Sequence, residues 1–152
     1  MLKSIYLRSL LSGNHVKMYK KNALNNVNAC IIDLDGVIWK RKEVIPGAAE
    51  ALERLRSAGL GILFVTNNSD MSRKRVCEKL HSFGVTAEID EIFSSTHATA
   101  EYISEASQNT PARVMVLGSQ GLSEEIINAG LQIVTKPEKA QYLVTGYDSE
   151  LN

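Results

Sequence analysis

No aspartate or glutamate occurs before Asp33, although Lys3, Arg8, Lys17, Lys20 and Lys21 do. Other scarcities also narrow the reading. No apolar run approaches the ~20 residues that a helix needs to cross a bilayer, so no membrane span is expected. The chain has only two cysteines, Cys30 and Cys77, far apart and without metal-ligand spacing. Nothing in that spacing suggests a disulfide framework or a zinc site, and buried structural thiols in a reducing compartment are expected. Neither a Walker-type nor a dinucleotide-type glycine fingerprint is present. Charge of either sign is not in excess: Lys+Arg and Asp+Glu both number 17. Nothing in that balance points to nucleic acid or a membrane surface as partner.

What is there is material for one domain, or one domain and part of another: 152 residues, 44% of them hydrophobic. A chain of this length buries about 70% of its unfolded surface, enough for a core. Residues 1–27 stand apart. Leu2, Ile5, Tyr6, Leu10 and Leu11 can share a helical face, with Gly13-Asn14 as a stop. With the local basic charge this is similar to a mitochondrial presequence, although lysine outnumbers arginine. A disordered tail, or translation from Met18, are the other readings. The expected location is cytoplasmic, with the mitochondrial matrix as the alternative.

From Ala29 onward strand-like and helix-like segments alternate. Strands are expected at Ala29 to Asp33, Gly61 to Val65, Glu91 to Ser94, Arg113 to Leu117, Leu131 to Val134 and Gln141 to Thr145. Helices are expected after Pro46-Gly47, where Ala48, Ala51, Leu52 and Leu55 repeat, then from a Ser72 cap through Phe83, from Thr96 to Ser107, and from Gly121 to Ala129. Gly36 to Ile45 reads as an irregular connection, and Asn109-Thr110-Pro111 as a joint. Alternation of this kind predicts an α/β fold with a Rossmann-like parallel sheet.

Ligands of such sheets sit beyond the carboxyl ends of the strands. Asp33 ends the first strand and Thr66 ends the second. Side chains at i and i+2 of a strand point the same way, so Asp33 and Asp35 can approach one centre, and Gly36 lets the chain turn afterwards. Carboxylates this close repel unless one is protonated or a cation lies between them. Mg²⁺ suits the position, being commonly held by one or two carboxylates and substrate phosphate. An EF-hand does not fit, since Val37 stands where a further acid is needed. Turn-forming acids without chemistry remain the bland alternative. Thr66-Asn67-Asn68 reads equally as a strand-end turn, and Asn67-Asn68-Ser69 also matches a glycosylation acceptor.

Ile31 to Trp39 resembles the first signature of the haloacid-dehalogenase-like phosphohydrolases, and Val65-Thr66-Asn67-Asn68-Ser69 their second. The closer likeness is to the branch with para-nitrophenylphosphatases, phosphoglycolate and pyridoxal-phosphate phosphatases and NagD-like sugar phosphatases. Its marks are Asp35-Gly36-Val37-Ile38-Trp39, Ile45-Pro46-Gly47-Ala48, Ser72-Arg73, Glu91-Ile92-Phe93-Ser94-Ser95 and Ala98-Thr99-Ala100-Glu101-Tyr102. Val116-Leu117-Gly118 and Val144-Thr145-Gly146-Tyr147-Asp148 resemble the start of its α/β cap. The resemblance therefore implies the first part of the catalytic core at 28–109 and an incomplete cap at 110–152.

It also implies roles. Asp33 would attack phosphorus to give an aspartyl-phosphate, and Asp35 would serve as acid and then base. Mg²⁺ would be held by Asp33 and Asp35. Thr66, Asn67, Asn68 and Gly36 would form the phosphate-binding set. Two later family signatures, a lysine and a Gly-Asp…Asp segment, find no match, so a truncated, weakly active phosphatase of small phosphorylated metabolites is expected. Family caps often mediate dimers, which makes a homodimer an open expectation. The other readings are a non-catalytic product that binds phosphate or pairs with a full-length relative, and, more weakly, a phosphoryl-transferring or dehalogenating enzyme. Lys40-Arg41-Lys42 could steer anions or be a solvated turn. Trp39 could line the entrance or pack beneath the flap. His81 and His97 receive no role.

Overall fold

The computed structural model describes residues 26–108 and 110–149. The basic segment at 1–27, apart from its last two residues, and Asn109 of the joint lie outside the described residues. Two compact units are present, one of residues up to Val65 with Lys79–Glu91, the other of Thr66–Glu78 with the residues from Ile92 onward.

In the first unit β1 (Ala29–Asp33) pairs in parallel with β4 (Gly61–Thr66), Ala29 opposite Gly61 through Asp33 opposite Val65. Between them in the chain comes a short antiparallel hairpin, β2 (Trp39–Lys40) and β3 (Glu43–Val44), where the sequence reads as irregular. Two-residue strands carry too little periodicity to register in a sequence. Arg41 takes a left-handed φ of 58° within its Lys40–Glu43 turn. Helix α1 (Ala48–Ser57) buries Ala48, Ala51 and Leu52, the spacing expected, with Glu50 in its first turn and Arg54 and Arg56 in its last. That charge order complements the helix dipole. Burial alternates along β4: Ile62, Phe64 and Thr66 are buried, while Leu63 and Val65 are half-buried.

In the second unit β5 (Ile92–Ser94) leads directly into α3 (Ser95–Ala106), whose N-terminus is capped by the Ser94 hydroxyl accepting from His97 N. β6 (Arg113–Leu117) lies between β7 (Gln132–Ile133) and β8 (Tyr142–Thr145), all parallel. Helix α4 (Gln120–Asn128) is capped by Ser119, whose hydroxyl accepts from Leu122 N. Ala100, Ile103, Val114, Leu122, Ile126, Leu131 and Val144 form the core of this unit. Helix α2 (Arg73–Ser82) runs from the second unit into the first. Strands alternating with helices and paired in parallel make this the expected α/β class. No helix among the described residues is long and apolar enough to cross a membrane. Cys77 is buried and Cys30 half-buried, where burial pushes the Cys30 thiol up from its ordinary pKa.

The 3-10 turn Ile89–Glu91 is tied to α1 by a bidentate ion pair, Arg56 Nη1 and Nη2 each donating to Glu91 at 2.7 Å. The Arg56 hydrogen bond holds the Glu91 carboxyl below its usual range, against the opposing effect of partial burial. A depressed folded pKa adds stability that is complete above the unfolded value and disappears as pH falls through the folded one. Glu91→Gln is therefore expected to cost about 1 kcal/mol at neutral pH, as bidentate surface pairs do. Urea unfolding should show that gap closing as pH drops below the ordinary glutamate range.

Candidate active site

Burial alternates strictly at the end of β1: Ile32 and Leu34 are buried, while Ile31, Asp33 and Asp35 are exposed. The pleat therefore aims both carboxylates to one side, with the apolar pair anchoring the other. Beyond Asp33 the chain folds over a single carbonyl, Leu34 O, which accepts from Val37, Ile38 and Trp39 N at 3.2, 2.9 and 3.2 Å. Gly36 makes this turn with a φ of 76° and donates its N–H to Trp39 O at 2.7 Å. A side chain there would strain the backbone even though its Cβ would meet nothing within 4 Å.

Both carboxylates are oriented by neighbours. Leu34 N donates to Asp33 Oδ1 at 2.8 Å, and the Trp39 indole N–H donates to Asp35 Oδ1 at 2.8 Å. Trp39 is 0% exposed, so of its two sequence readings it packs rather than lining an entrance. Its ring meets Phe83 at 6.0 Å between centroids, and Lys79 Nζ stands 3.9 Å over it. Burial pulls the Lys79 ammonium below the usual lysine range, and the Asp35 charge pulls the other way. Sequence reasoning missed this role for Trp39. The signal was its spacing of four from Asp35 across a glycine turn. Lys40, Arg41 and Lys42 are exposed around their turn.

The second unit holds the remaining expected residues. Thr66 is buried, and its Oγ1 accepts from Asn68 N at 3.1 Å. Asn68 Oδ1 in turn accepts from Asp70 N at 2.7 Å, so two successive side-chain turns shape this loop. Asn67 is exposed, with its carbonyl accepting from Ser95 Oγ at 3.1 Å. Ser72 stands at the start of α2, where its carbonyl accepts from Val76 N at 3.0 Å, and its hydroxyl donates to Glu124 Oε2 at 2.6 Å. His97, given no partner from spacing, lies 3.6 Å from Glu101 and 3.7 Å from the buried Glu125. The first of these contacts was legible as an i, i+4 pair. The second was not.

Two exposed carboxylates at one strand end fit a hard divalent cation that keeps water and phosphate oxygens in its other positions. They do not close a protein cage. Among the described residues no group of three or more His, Cys, Asp or Glu is assembled to hold a metal ion.

A parallel α/β core with exposed polar residues at its strand ends defines a class of folds that bind ligands there, and comparison with known proteins specifies the family. The model of haloacid dehalogenase-like hydrolases matches residues 30–132, and the chain belongs to that family. It is 39% identical over 122 residues to phosphoglycolate phosphatase 2 of Arabidopsis thaliana, covering 80% of this chain and 40% of the relative. Among solved structures it is similar to a p-nitrophenyl phosphatase from Archaeoglobus fulgidus, with 42% identity, a TM-score of 0.75, and coverage of 83% of this chain and 47% of the other. A glycerol phosphate phosphatase from Mycobacterium tuberculosis, solved in complex with magnesium, is 30% identical with a TM-score of 0.71, over 83% of this chain and 37% of the other. These likenesses put the chain in the para-nitrophenylphosphatase and phosphoglycolate phosphatase branch. The chain spans less than half the length of each of these relatives.

Trp39 is the only tryptophan, so its fluorescence reports on Asp35 directly. Asp35→Asn is expected to change the emission intensity of the folded protein while leaving the blue-shifted position of a buried indole. Fluorescence spectra of the two proteins at matched concentration check this.

Proposed function

We propose that this chain carries the nucleophile and phosphate-binding part of a Mg²⁺-dependent phosphatase of small phosphorylated metabolites. One observation supports it above the rest: Asp33 and Asp35 emerge on the same exposed side of a parallel strand end. In this reading residues 28–109 are core and 110–152 begin a cap.

Asp33 attacks the phosphorus of a phosphate monoester, forming an oxygen–phosphorus bond as the ester oxygen leaves. Asp35 delivers its proton to that oxygen, so an alcohol departs and an aspartyl-phosphate remains. The deprotonated Asp35 then takes a proton from water, whose oxygen attacks phosphorus as the Asp33 oxygen–phosphorus bond breaks, releasing inorganic phosphate and the free Asp33 carboxylate. Thr66 and Asn67 donate to the phosphoryl oxygens, Asn68 sets the turn on which those donors sit, and Gly36 turns the chain after Asp35 at the phosphate-binding set. Asp33 lies opposite Val65 in the strand register, and Val65 immediately precedes Thr66 in the chain. The Asp33 carboxylate and the Asp35 backbone carbonyl would hold Mg²⁺, which would supply charge neutralisation at the phosphoryl group.

Phosphate esters demand barrier lowering of roughly 20 kcal/mol or more. A lysine beside the phospho-aspartate and further acidic metal ligands, which the family resemblance implies, find no match among these 152 residues. Turnover by this chain alone is accordingly proposed to be weak. A second reading, a non-catalytic phosphate binder or a partner of a full-length relative, draws support from the absence of a complete metal-ligand cluster among the described residues. A homodimer is the oligomer most in keeping with the branch, and no nucleic acid or membrane enters this reading.

Steady-state release of p-nitrophenol from p-nitrophenyl phosphate by this chain tests the proposal. Slow, Mg²⁺-dependent release is expected, lost with Asp33→Asn and lowered on the order of 10²-fold by Asn67→Ala. Release that persists unchanged in Asp33→Asn would overturn it.

A further inference from the structure

Helix α2 opens with Arg73-Lys74-Arg75 and has no acidic residue in its first turn, so it places basic charge at the positive end of its dipole. The hydroxyl of Ser72, just before it, donates a hydrogen bond to a carboxylate of α4. The compensation comes from two consecutive acids about fifty residues later. Glu125, 2% exposed, accepts from the Arg73 backbone N–H at 2.6 Å and from Arg73 Nε at 3.4 Å. Glu124 accepts from the Ser72 hydroxyl at 2.6 Å and from Arg75 Nη2 at 2.9 Å. A helix start that is unfavourable by itself is thus completed by the docked α4.

The same stretch grips the loop before the helix. The Ser119 hydroxyl caps α4 and also donates to Ser69 O at 2.9 Å, while Tyr147 N donates to Ser69 Oγ at 2.8 Å. Gly121 lets α4 meet the loop backbone. A Cβ there would lie 2.5 Å from both Asp70 O and Ser72 N, atoms with no flexible end to yield. Ser69 to Arg73 is therefore held from α4 and the chain after β8, immediately beyond Thr66-Asn67-Asn68.

We propose that Ser119, Glu124 and Glu125 are positioning residues for the Thr66–Asn68 phosphate loop, so that the loop binds phosphate well only when α4 is docked on it. This rests on the phosphatase reading above. None of the three touches the phosphoryl group. They act by fixing the loop's exit into α2, which sets the turns made by Thr66 and Asn68.

Two measurements on this chain test it together: amide hydrogen exchange, and the affinity for inorganic phosphate with Mg²⁺ by titration calorimetry. Glu125→Gln keeps the shape and removes the charge, and Glu124→Gln is the milder variant should the first fold poorly. Either is expected to raise exchange at Asn68 to Arg73 and to weaken phosphate binding, each by about tenfold for the buried acid and less for Glu124. Exchange in β6 should stay as in the unsubstituted chain. Unchanged exchange in the loop, or faster exchange with unchanged phosphate affinity, would overturn the positioning role alone. No phosphate binding by the unsubstituted chain would overturn the phosphatase reading, and this inference with it.

Discussion

Parallel pairing of β1 with β4 is the constraint on which the candidate site depends. It sets Asp33 opposite Val65, and the two-residue repeat of the strand then decides which side every neighbour faces. Ile32 and Leu34 are buried, so the acids flanking Leu34 are driven outward. A slip of one residue would bury both carboxylates and expose the apolar pair, a change of several kcal/mol in the wrong direction. The placement of the acids is thus enforced by hydrophobic burial on the opposite face. Gly36 and the turn over Leu34 O then return the chain so that Trp39 can reach the Asp35 carboxylate.

The second unit solves a different problem. Its loop from Thr66 to Ser72 is rich in small polar side chains that satisfy one another locally, as Thr66 does with Asn68 N and Asn68 with Asp70 N. Such turns define shape without much apolar burial, and they need an external brace. The brace is a helix that approaches through Gly121 and carries Glu124 and Glu125. Electrostatics here does what packing does in the first unit, with a buried carboxylate kept by hydrogen bonds to a backbone amide and a guanidinium.

The fold and the acidic pair were legible because both rest on short-range patterns. The apolar run into Asp33, the helical spacing of Ala48, Ala51 and Leu52, and the order of motifs each depend on residues a few places apart. The second strand's ending at Thr66 and the pairing of strands in parallel follow from the same grammar. What escaped depends on distant partners or on elements too short to have a period. The β2–β3 hairpin has two residues a side. Ser72 stands at the expected helix start, but the bond its hydroxyl donates to Glu124 joins residues 52 apart. The His97–Glu125 contact joins different helices. Trp39 is intermediate: its packing was foreseen as one of two options, yet its bond to Asp35 required knowing how tightly Gly36 turns.

The central claim is that Asp33 accepts a phosphoryl group. Borohydride reduction of the chain during reaction with p-nitrophenyl phosphate and Mg²⁺ converts an aspartyl-phosphate to homoserine, which peptide mass spectrometry locates. The account predicts homoserine at position 33 and its loss when substrate is omitted. Homoserine at Asp35 or at any other acid, with position 33 unmodified, would contradict it.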